Sequence, residues 1–358
     1  MKKVMVGMSG GVDSSVAAML LKNNGYDVMG VTLKMFSDED INEAKASGKT
    51  CCALSDVEDA RSVAYKLGFE HLVFNFRDCF KEYVMKNFAE SYINGFTPNP
   101  CIECNRHIKF DKMLRRALEL DYDYIATGHY AVCEFDSSKN RYILKRPADR
   151  SKDQTYVLYS LTQEQLSHTL FPLGSLKKSQ VREIAESAGL VNSAKPDSQD
   201  ICFVPDGDYA SFIKRFANYN SPEGNCVDTK GNIIGRHKGL INYTVGQRKG
   251  LGIAMGHPVY VVGKNLDDNT VIIGEESDLY SSSLIADDVN LISVEDIYEP
   301  MRITVKTRYS QSEQPAVLSK LNDTDYLVTF DKPRRAVTKG QAAVFYDGDI
   351  VVGGGTIK

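Results

Sequence analysis

A short stretch of the chain decides its fold class: Gly7-Met8-Ser9-Gly10-Gly11-Val12-Asp13-Ser14. It follows an apolar segment, residues 3–8, that predicts a β-strand, and it leads into residues 13–21, whose apolar side chains recur at helical spacing. Glycines allow the backbone to turn tightly and to present its amide groups to an oxyanion. The helix N-terminus adds partial positive charge, and serine hydroxyls add donors. We therefore predict a phosphate-binding turn. It is neither a Walker loop nor a Gly-x-Gly-x-x-Gly dinucleotide turn, because both patterns are absent from it.

The segments that follow this turn alternate between strand and helix patterns. Strands are predicted at residues 28–35, 72–76 and 124–127, and helices at residues 55–67, 80–92 and 110–120. Such alternation favours βαβ crossovers, and therefore a parallel sheet with helices on both faces. In sheets of this kind, ligands bind at the carboxyl ends of the strands.

The pattern changes near residue 205. Beyond it, β-branched and aromatic residues alternate with polar ones, and turn signals recur between short runs such as residues 259–262 and 270–273. This predicts antiparallel sheet, and the length of the region suggests two small β units. We predict three domains: residues 1–205, 206–280 and 281–358. Residues 136–150 are polar and are predicted to form a surface loop or hairpin.

Composition and charge exclude several classes of protein. The chain has 358 residues, of which 42% are hydrophobic and 25% charged, and its net charge is −4. No apolar run approaches the ~18 residues of a membrane helix, and no signal peptide is recognisable. A net negative charge argues against nonspecific coating of nucleic acid, although basic residues do cluster locally. Eight cysteines without a secretory signal indicate thiols of a cytoplasmic protein that is not membrane-bound.

Three cysteines stand in a context that suggests chemistry. Cys101 and Cys104 are three residues apart before a predicted helix, and Cys202 lies almost a hundred residues later. One interpretation is a zinc site that also uses His107. A second is an iron–sulfur cluster on the three cysteines, and a third is redox and persulfide chemistry between Cys104 and Cys202. The spacing alone does not distinguish among the three.

Further motifs identify a family. The turn resembles the pyrophosphate-binding loop of the N-type ATP pyrophosphatases, which split ATP between its α and β phosphates. Over essentially its full length the chain resembles the tRNA-specific 2-thiouridylase (MnmA/TrmU) family. The matching strings are residues 7–14, Asn99-Pro100-Cys101-x-x-Cys104-Asn105, and residues 127–131, 152–156, 198–203, 243–252, 308–309, 340–346 and 353–355.

This resemblance implies a fold and a reaction. The fold is an N-type ATP pyrophosphatase (adenine nucleotide alpha hydrolase-like) parallel-sheet domain, followed by a small central β domain and a C-terminal β-barrel. The reaction replaces the C2 oxygen of the wobble uridine in tRNA anticodons by sulfur. ATP adenylates that oxygen, and AMP and pyrophosphate are released. Residues 7–14, together with Leu33 and Gly128, are expected to bind ATP, and Asp13 is expected to bind Mg²⁺.

The resemblance also implies roles for the cysteines. Cys202 is expected to carry a persulfide that sulfur-carrier proteins or cysteine desulfurases deliver. Cys104 is expected to be its partner, either releasing the sulfur by forming a Cys104–Cys202 disulfide or assisting proton transfer. Both are therefore the expected catalytic residues of a tRNA-uridine 2-sulfurtransferase.

The same resemblance implies contacts with tRNA. Asn99, Pro100 and Cys101 are expected to contact the target base. Other residues are expected to contact the rest of the tRNA: His129, Lys152, Asp153, Gln154, Arg308, Tyr309 and Gln341. The uridine has to leave the anticodon stack to react, at a cost of a few kcal/mol that aromatic contacts can offset.

One position departs from the family pattern. Well-known members have aspartate where this chain has Cys101, so three thiols are present where a [4Fe–4S] cluster could be held, as in related thiolases. We therefore keep thiolation through a cluster on Cys101, Cys104 and Cys202 as an alternative. Two further alternatives are a ligase with the same loop that acts on a small molecule, and a noncatalytic RNA-binding or sulfur-carrier protein.

Overall fold

A computed structural model of the chain describes residues 1–36, 54–197 and 201–358. Residues 198–200, which belong to one of the matching strings given above, lie outside the described residues. Within these ranges, no helix has the length and apolar character needed to cross a membrane.

A five-stranded parallel sheet forms the first part of the molecule. Its strands are β1 (Lys3–Gly7), β2 (Asp27–Lys34), β3 (His71–Asn75), β4 (Tyr124–Ala126) and β7 (Thr169–Leu170). The sequence predicts the parallel sheet and four of its strands, but not β7. The strands lie in the order β3-β2-β1-β4-β7, and each neighbouring pair is parallel. In β1, Met5 packs into one hydrophobic cluster and Val4 and Val6 into another. Because successive side chains of a strand point to opposite faces, β1 contributes to a hydrophobic core on each face of the sheet.

Helices cover both faces. They are α1 (Val12–Asn23), α2 (Leu54–Leu67), α3 (Arg77–Phe80), α4 (Asn87–Ile93), α5 (Pro100–Glu103), α6 (Met113–Glu119), α7 (Gln163–Ser167), α8 (Lys178–Ser187) and α9 (Tyr209–Phe216). Two π-helical segments, Lys81–Lys86 and Cys104–Lys112, join α3 to α4 and α5 to α6. Each trio is therefore one continuous helical stretch.

The predicted start of one helix, at residue 110, is wrong by ten residues. The helical stretch begins at Pro100, and the side chain of Asn99 accepts a hydrogen bond from the Cys101 amide at 3.1 Å. Asparagine is a favoured N-cap, and proline suits the first helical position because its missing N–H needs no partner there. Cys101 consequently lies in the first turn, and Cys104 lies one turn further along.

The central unit is a four-stranded sheet. Its strands are β8 (Gly224–Val227), β9 (Ile233–His237), β10 (Tyr260–Asn265) and β11 (Thr270–Gly274), in the order β10-β11-β8-β9. Strands β8 and β11 pair in parallel, so the prediction of purely antiparallel sheet is wrong at this pair. The reason is that two antiparallel hairpins lie side by side and their inner strands run the same way.

The last unit is a closed sheet that takes a hairpin from the first unit. Its strands are β12 (Tyr280–Leu291), β13 (Met301–Lys306), β14 (Gln314–Lys320), β15 (Tyr326–Arg335), β16 (Ala342–Asp347) and β17 (Ile350–Ile357). Pairing of β12 with both β15 and β17 closes the barrel. The segment predicted as a loop or hairpin forms β5 (Val132–Asp136) and β6 (Arg141–Lys145), and Lys145 of β6 pairs with Ile350 of β17.

Candidate active site

The phosphate-binding turn lies where the sheet order reverses. Strand β1 has β2 on one side and β4 on the other, so the segments that follow β1 and β4 meet at the carboxyl edge. Gly128 follows β4 so closely packed against α1 that a Cβ there would lie 2.7 Å from the Ser14 amide nitrogen. On the other side, Gly10 has a φ of +73°, and a Cβ on it would lie 2.4 Å from the Asp56 carbonyl oxygen. Glycine is therefore required at both positions.

Hydrogen bonds fix the shape of the turn. The Ser14 hydroxyl donates to the Gly11 carbonyl oxygen at 3.1 Å and accepts from the Ser9 amide at 3.2 Å. Asn192, which lies beyond α8, donates to the Gly10 carbonyl oxygen and to the Ser15 hydroxyl, both at 2.9 Å. Met8 and Val12 are buried beneath the turn, and Leu33 is buried near the end of β2. These contacts fix the backbone of the turn at the carboxyl edge of the sheet.

A charged network extends from Asp13. Both carboxylate oxygens of Asp13 accept from the Lys178 ammonium at 2.8 Å, and Oδ1 also accepts from the Tyr130 hydroxyl at 2.8 Å. Lys178 also contacts Asp197 at 2.7 Å, and Lys152 contacts Asp197 at 2.8 Å. Burial opposes ionisation of Asp197, but the hydrogen bonds from Lys152 and Lys178 outweigh it and hold its pKa below the ordinary value.

The sequence analysis missed Lys178, Asp197, Tyr130 and Asn192. Lys178 is the first residue of α8, 165 positions from Asp13. A lysine at the start of a helix is usually exposed to solvent, and no local sequence pattern connects Lys178 with the turn. Tyr130 lies within the matching string 127–131, but that string assigns it no role. The contacts that connect all four residues with the turn are visible only in the folded chain.

The cysteines of the helical stretch and of the later segment approach the same sheet edge. Cys104 is buried, and its thiol donates to the sulfur of Met35 at 3.7 Å, just beyond the end of β2. Cys202 is half-buried and packs against the same hydrophobic cluster, next to Phe203. The rings of Phe203 and Phe80 lie 5.7 Å apart. Phe80 in turn contacts Phe36 at 5.9 Å, so the Cys202 segment also packs near the end of β2.

The described residues contain no group of three or more His, Cys, Asp or Glu side chains placed to hold a metal ion. Cys101 is exposed, whereas Cys104 is buried. His107, the fourth ligand of the zinc interpretation, instead stacks on Tyr83 and lies 3.2 Å from Glu103. Among the described residues, the three cysteines and His107 therefore do not form a ligand set.

The segment containing Asn99, Pro100 and Cys101 is attached to the barrel. The Thr97 amide donates to the Lys339 carbonyl oxygen at 2.9 Å, and the Gln341 side chain donates to the Thr97 carbonyl oxygen at 2.8 Å. Gly340 lies between them with a φ of +86°. The Tyr156 hydroxyl adds a bond to the Ala342 carbonyl oxygen at 2.9 Å. The predicted target-base segment thus lies at the junction of the first and last units.

Several residues predicted to contact tRNA lie in the first unit beside the turn. His129 is buried and shares a hydrogen bond of 2.8 Å with the Thr127 hydroxyl. Burial and the nearby Lys109 hold the pKa of His129 well below its ordinary value, so the ring is neutral. Gln154 accepts from the Tyr130 amide at 2.8 Å, and Asp153 accepts from the backbone and hydroxyl of Thr155.

The other residues predicted to contact tRNA come from the barrel. Arg308 donates to the Val245 carbonyl oxygen at 2.9 Å and to Thr338, so it ties the central unit to the barrel. Tyr309 is 45% exposed and is the most accessible of the aromatic side chains at the junction. The structure brings Tyr309, Gln341 and residues 99–101 to one junction, with Lys152 near the turn. Their contacts with RNA stay predictions.

The fold and the site define a nucleotide-binding α/β domain followed by two β units, and comparisons with known families agree. Three family models match: a tRNA methyl transferase HUP domain at residues 2–206, a tRNA methyl transferase PRC-barrel domain at residues 210–275, and an aminomethyltransferase β-barrel domain at residues 281–357. This confirms the fold class predicted from the sequence. The domain boundaries stay predictions.

Curated relatives match over the whole chain. The tRNA-specific 2-thiouridylase MnmA of Clostridioides difficile (strain 630) is 54% identical over 357 residues, covering 100% of this chain and 98% of that protein. The protein of the same name from Acetivibrio thermocellus is 55% identical over 357 residues, covering 100% of this chain and 99% of that protein. The chain therefore belongs to the tRNA-specific 2-thiouridylase family. This confirms the family predicted from the sequence, and with it the prediction of an enzyme.

Among solved structures, a 4-thiouridine synthetase–RNA complex with bound ATP matches with a TM-score of 0.38 and 18% identity, covering 61% of this chain and 50% of that chain. The family assignment rests on the sequence matches.

Proposed function

We propose that the chain catalyses ATP-dependent 2-thiolation of the wobble uridine of tRNA. The uracil C2 oxygen is adenylated, and the sulfur comes from a persulfide on Cys202. The observation that carries the proposal is the packing of Cys104 against Met35, beyond the end of β2. The phosphate-binding turn follows β1, the neighbouring parallel strand, so a thiol and a nucleotide site share one sheet edge.

Binding of ATP is supported by the turn itself. It lies at the start of α1, where the helix N-terminus favours negative charge. Because a uracil C2 carbonyl is a poor electrophile, its oxygen has to become a leaving group, and transfer of AMP to that oxygen achieves this. The pyrophosphate that leaves remains against residues 9–14.

Asp13 is the residue that would hold Mg²⁺. Its carboxylate is a hard oxygen ligand, and magnesium is commonly bound through one carboxylate together with phosphate oxygens and water. When bound, magnesium neutralises charge that develops on the pyrophosphate. In the structure the Lys178 ammonium occupies both oxygens of Asp13. We infer that the Lys178 side chain moves from Asp13 to the phosphates when ATP binds, while Asp197 keeps its contact with Lys152.

Sulfur transfer is assigned to the two cysteines. The terminal sulfur of the Cys202 persulfide attacks C2, and the C2–O bond to AMP breaks. The Cys104 thiolate then attacks the Cys202 sulfur, which cleaves the S–S bond and leaves the sulfur on C2. A Cys104–Cys202 disulfide forms and a thiol reductant has to reduce it before the next cycle. Proton transfer by Cys104 is the alternative role.

The partners follow from this chemistry. The tRNA approaches the junction where residues 99–101 meet the barrel, and a sulfur-carrier protein or a cysteine desulfurase supplies the persulfide. We place the enzyme in the cytoplasm, where its thiols stay reduced.

The test is formation of 2-thiouridine in tRNA with ATP and a persulfide donor, measured for the wild type, Cys202→Ser and Cys104→Ser. We expect each variant to lose thiolation by at least about a hundredfold, because a hydroxyl can neither carry the sulfane sulfur at position 202 nor attack the Cys202 sulfur from position 104. Both should retain ATP binding. Cys133→Ser is the matched control, since its thiol donates to the Leu166 carbonyl oxygen, a contact that serine can keep.

The outcomes separate the alternatives. Undiminished thiolation by Cys202→Ser would contradict the persulfide role. Pyrophosphate release that does not depend on tRNA would favour a small-molecule ligase. Iron and labile sulfide that copurify anaerobically with the wild type, and that are lost in Cys101→Ser, would favour the cluster alternative.

A further inference from the structure

Lys306 stands at the junction in a position that the family resemblance does not assign. It is the last residue of β13, and alternation along this strand sends Ile303 and Val305 into the barrel core. Thr304 and Lys306 therefore point outward, toward the first unit. The register of β13 against β16 places Lys306 opposite Val344 and Thr304 opposite Tyr346.

Two aromatic rings flank the Lys306 ammonium. Its Nζ lies 5.9 Å from the centre of the Tyr156 ring and 5.7 Å from the centre of the Tyr309 ring. The two rings meet edge to face with their centres 5.9 Å apart. Tyr156 is fully buried, whereas Tyr309 is 45% exposed. The exposed face of Tyr309 and the Lys306 ammonium beside it form the surface that we call the opening. Burial raises the pKa of Tyr309, and electrostatic interactions with Asp153 and Cys101 raise it further. Cys101 of the predicted target-base segment is therefore near enough to Tyr309 to interact with it.

The acidic groups near Lys306 are engaged elsewhere. Glu313 accepts two hydrogen bonds of 2.6 Å from Arg146. Asp153 accepts from the Thr155 amide at 2.9 Å and from its hydroxyl at 2.6 Å. Over the described ranges of the chain, no carboxylate oxygen lies within 4.0 Å of the Lys306 ammonium.

Among the residues that the structure describes, the Lys306 ammonium is therefore partly desolvated and has no close carboxylate counter-ion. Burial lowers its pKa from the ordinary value and Arg146 lowers it further, while Asp153 and Glu313 act in the opposite direction. Removing water from a charge is unfavourable unless an oppositely charged group replaces that water. An anion at the opening would be such a group.

We propose that Lys306 binds a phosphate that flanks the target uridine of the tRNA, while the exposed face of Tyr309 stacks on the base of that nucleotide or its neighbour. A cation next to an exposed aromatic ring is the combination that holds unstacked nucleotides, because every nucleotide offers both a π-face and a phosphate. The inference rests on the proposed function, since it presupposes that the anticodon reaches this junction.

The test is binding of an anticodon stem-loop RNA at several salt concentrations, by the full chain without ATP. Lys306→Met keeps the aliphatic stem against the rings and removes the charge. We expect it to weaken binding about tenfold and to reduce the slope of log K against log salt by about 1. Lys306→Arg should retain the slope. Lys320→Met is the matched control, because it removes one charge from the same barrel at a lysine that pairs with Asp296 at 2.6 Å.

A second measurement identifies the phosphate. The wild type is titrated with RNAs in which either phosphate flanking the target uridine is an uncharged methylphosphonate. One of the two RNAs should bind about tenfold more weakly to the wild type, and Lys306→Met should bind that RNA and the normal RNA equally.

Three results would overturn the inference. The first is that Lys306→Met shows the same slope of log K against log salt as the wild type. The second is that neither methylphosphonate RNA binds the wild type more weakly than the normal RNA does. The third is that the effects of the methylphosphonate and of Lys306→Met on the binding free energy are additive. If the wild type itself did not bind the RNA, the proposed function would fail together with the inference. Normal wild-type binding with an unchanged variant would contradict the inference alone.

Discussion

At the scale of single residues, a half-buried histidine, His71, supports the phosphate-binding turn through Thr32. The Thr32 hydroxyl donates to the Met8 carbonyl oxygen at 2.9 Å, so its oxygen accepts from Nε2 of His71, also at 2.9 Å. The other ring nitrogen of His71 is buried and has no hydrogen-bond partner among the described residues. Protonation would place an N–H there without an acceptor. Burial, with a smaller effect from Arg61, lowers the pKa of His71 to about 4.

This predicts how stability depends on pH. The unfolded chain takes up a proton at His71 below about pH 6.5, whereas the folded chain resists until about pH 4, so the free energy of unfolding falls as the pH drops through this window. After discounting for partial exposure, we expect His71 to account for about 1–2 kcal/mol of that fall. In His71→Gln this part should disappear, while the Gln amide can still donate to Thr32.

Urea unfolding at pH 7.5, 6 and 5 gives the free energy of unfolding of the wild type and of His71→Gln. In the difference between the two proteins at each pH, the contributions of all other groups cancel. Equal pH dependence of the two proteins would show that His71 is not the group responsible.

At the scale of elements, the turn depends on how closely the segment after β4 approaches the start of α1. A Cβ on Gly128 would lie 2.7 Å from the Ser14 nitrogen and 2.8 Å from the Asp13 carbonyl carbon, and both are backbone atoms that cannot rotate away. Residues in two separate connections, from β1 to α1 and from β4 to β5, are therefore held in one rigid arrangement.

We expect Gly128→Ala to displace the start of α1 and to weaken ATP binding by more than about tenfold, with a loss of stability of about 1–3 kcal/mol from overpacking. Gly235→Ala in the central unit is the control, because the nearest atom to its Cβ is a side-chain carbon of Ile253 at 3.3 Å. Isothermal titration with ATP measures the effect. Unchanged affinity in Gly128→Ala would mean that the nucleotide does not use this edge of the sheet.

The sequence predicted the elements with a local pattern and missed those set by distant contacts. The parallel sheet followed from the alternation of strand and helix, because each segment has its own periodicity. The start of the helical stretch at Pro100 was missed although the signal was present, since Asn99 and Pro100 form a typical N-cap and first position. By contrast, the pairing of Lys178 with Asp13 and of Lys145 with Ile350 joins residues more than 150 positions apart. Local propensity contains no information about such pairs.

At the scale of the whole molecule, the barrel positions the segment that is predicted to meet the target base. Gly340 makes this possible, because a Cβ there would lie 2.7 Å from the Phe96 Cβ and 2.9 Å from the Thr97 nitrogen. Its φ of +86° also disfavours any other residue. Contact with the barrel is thereby coupled to the geometry around Cys101.

Gly340→Ala should therefore separate the barrel from residues 97–101. We expect thiolation to fall by about tenfold or more while ATP affinity stays at the wild-type value, because the turn lies in the other unit. Gly348→Ala, another position of positive φ with open space around its Cβ, controls for backbone strain alone. The prediction fails if both variants thiolate tRNA equally well, or if Gly340→Ala loses ATP binding to the same extent.

The hairpin of β5 and β6 belongs by sequence to the first unit and by hydrogen bonding to the barrel sheet. This arrangement determines which segments have to be exchanged together in a chimera of two related proteins. If residues 281–358 alone are exchanged, β17 of one protein has to pair with β6 of the other. If residues 132–145 are exchanged together with them, both strands of this pair come from the same protein. The portable module for protein engineers is thus discontinuous in the chain.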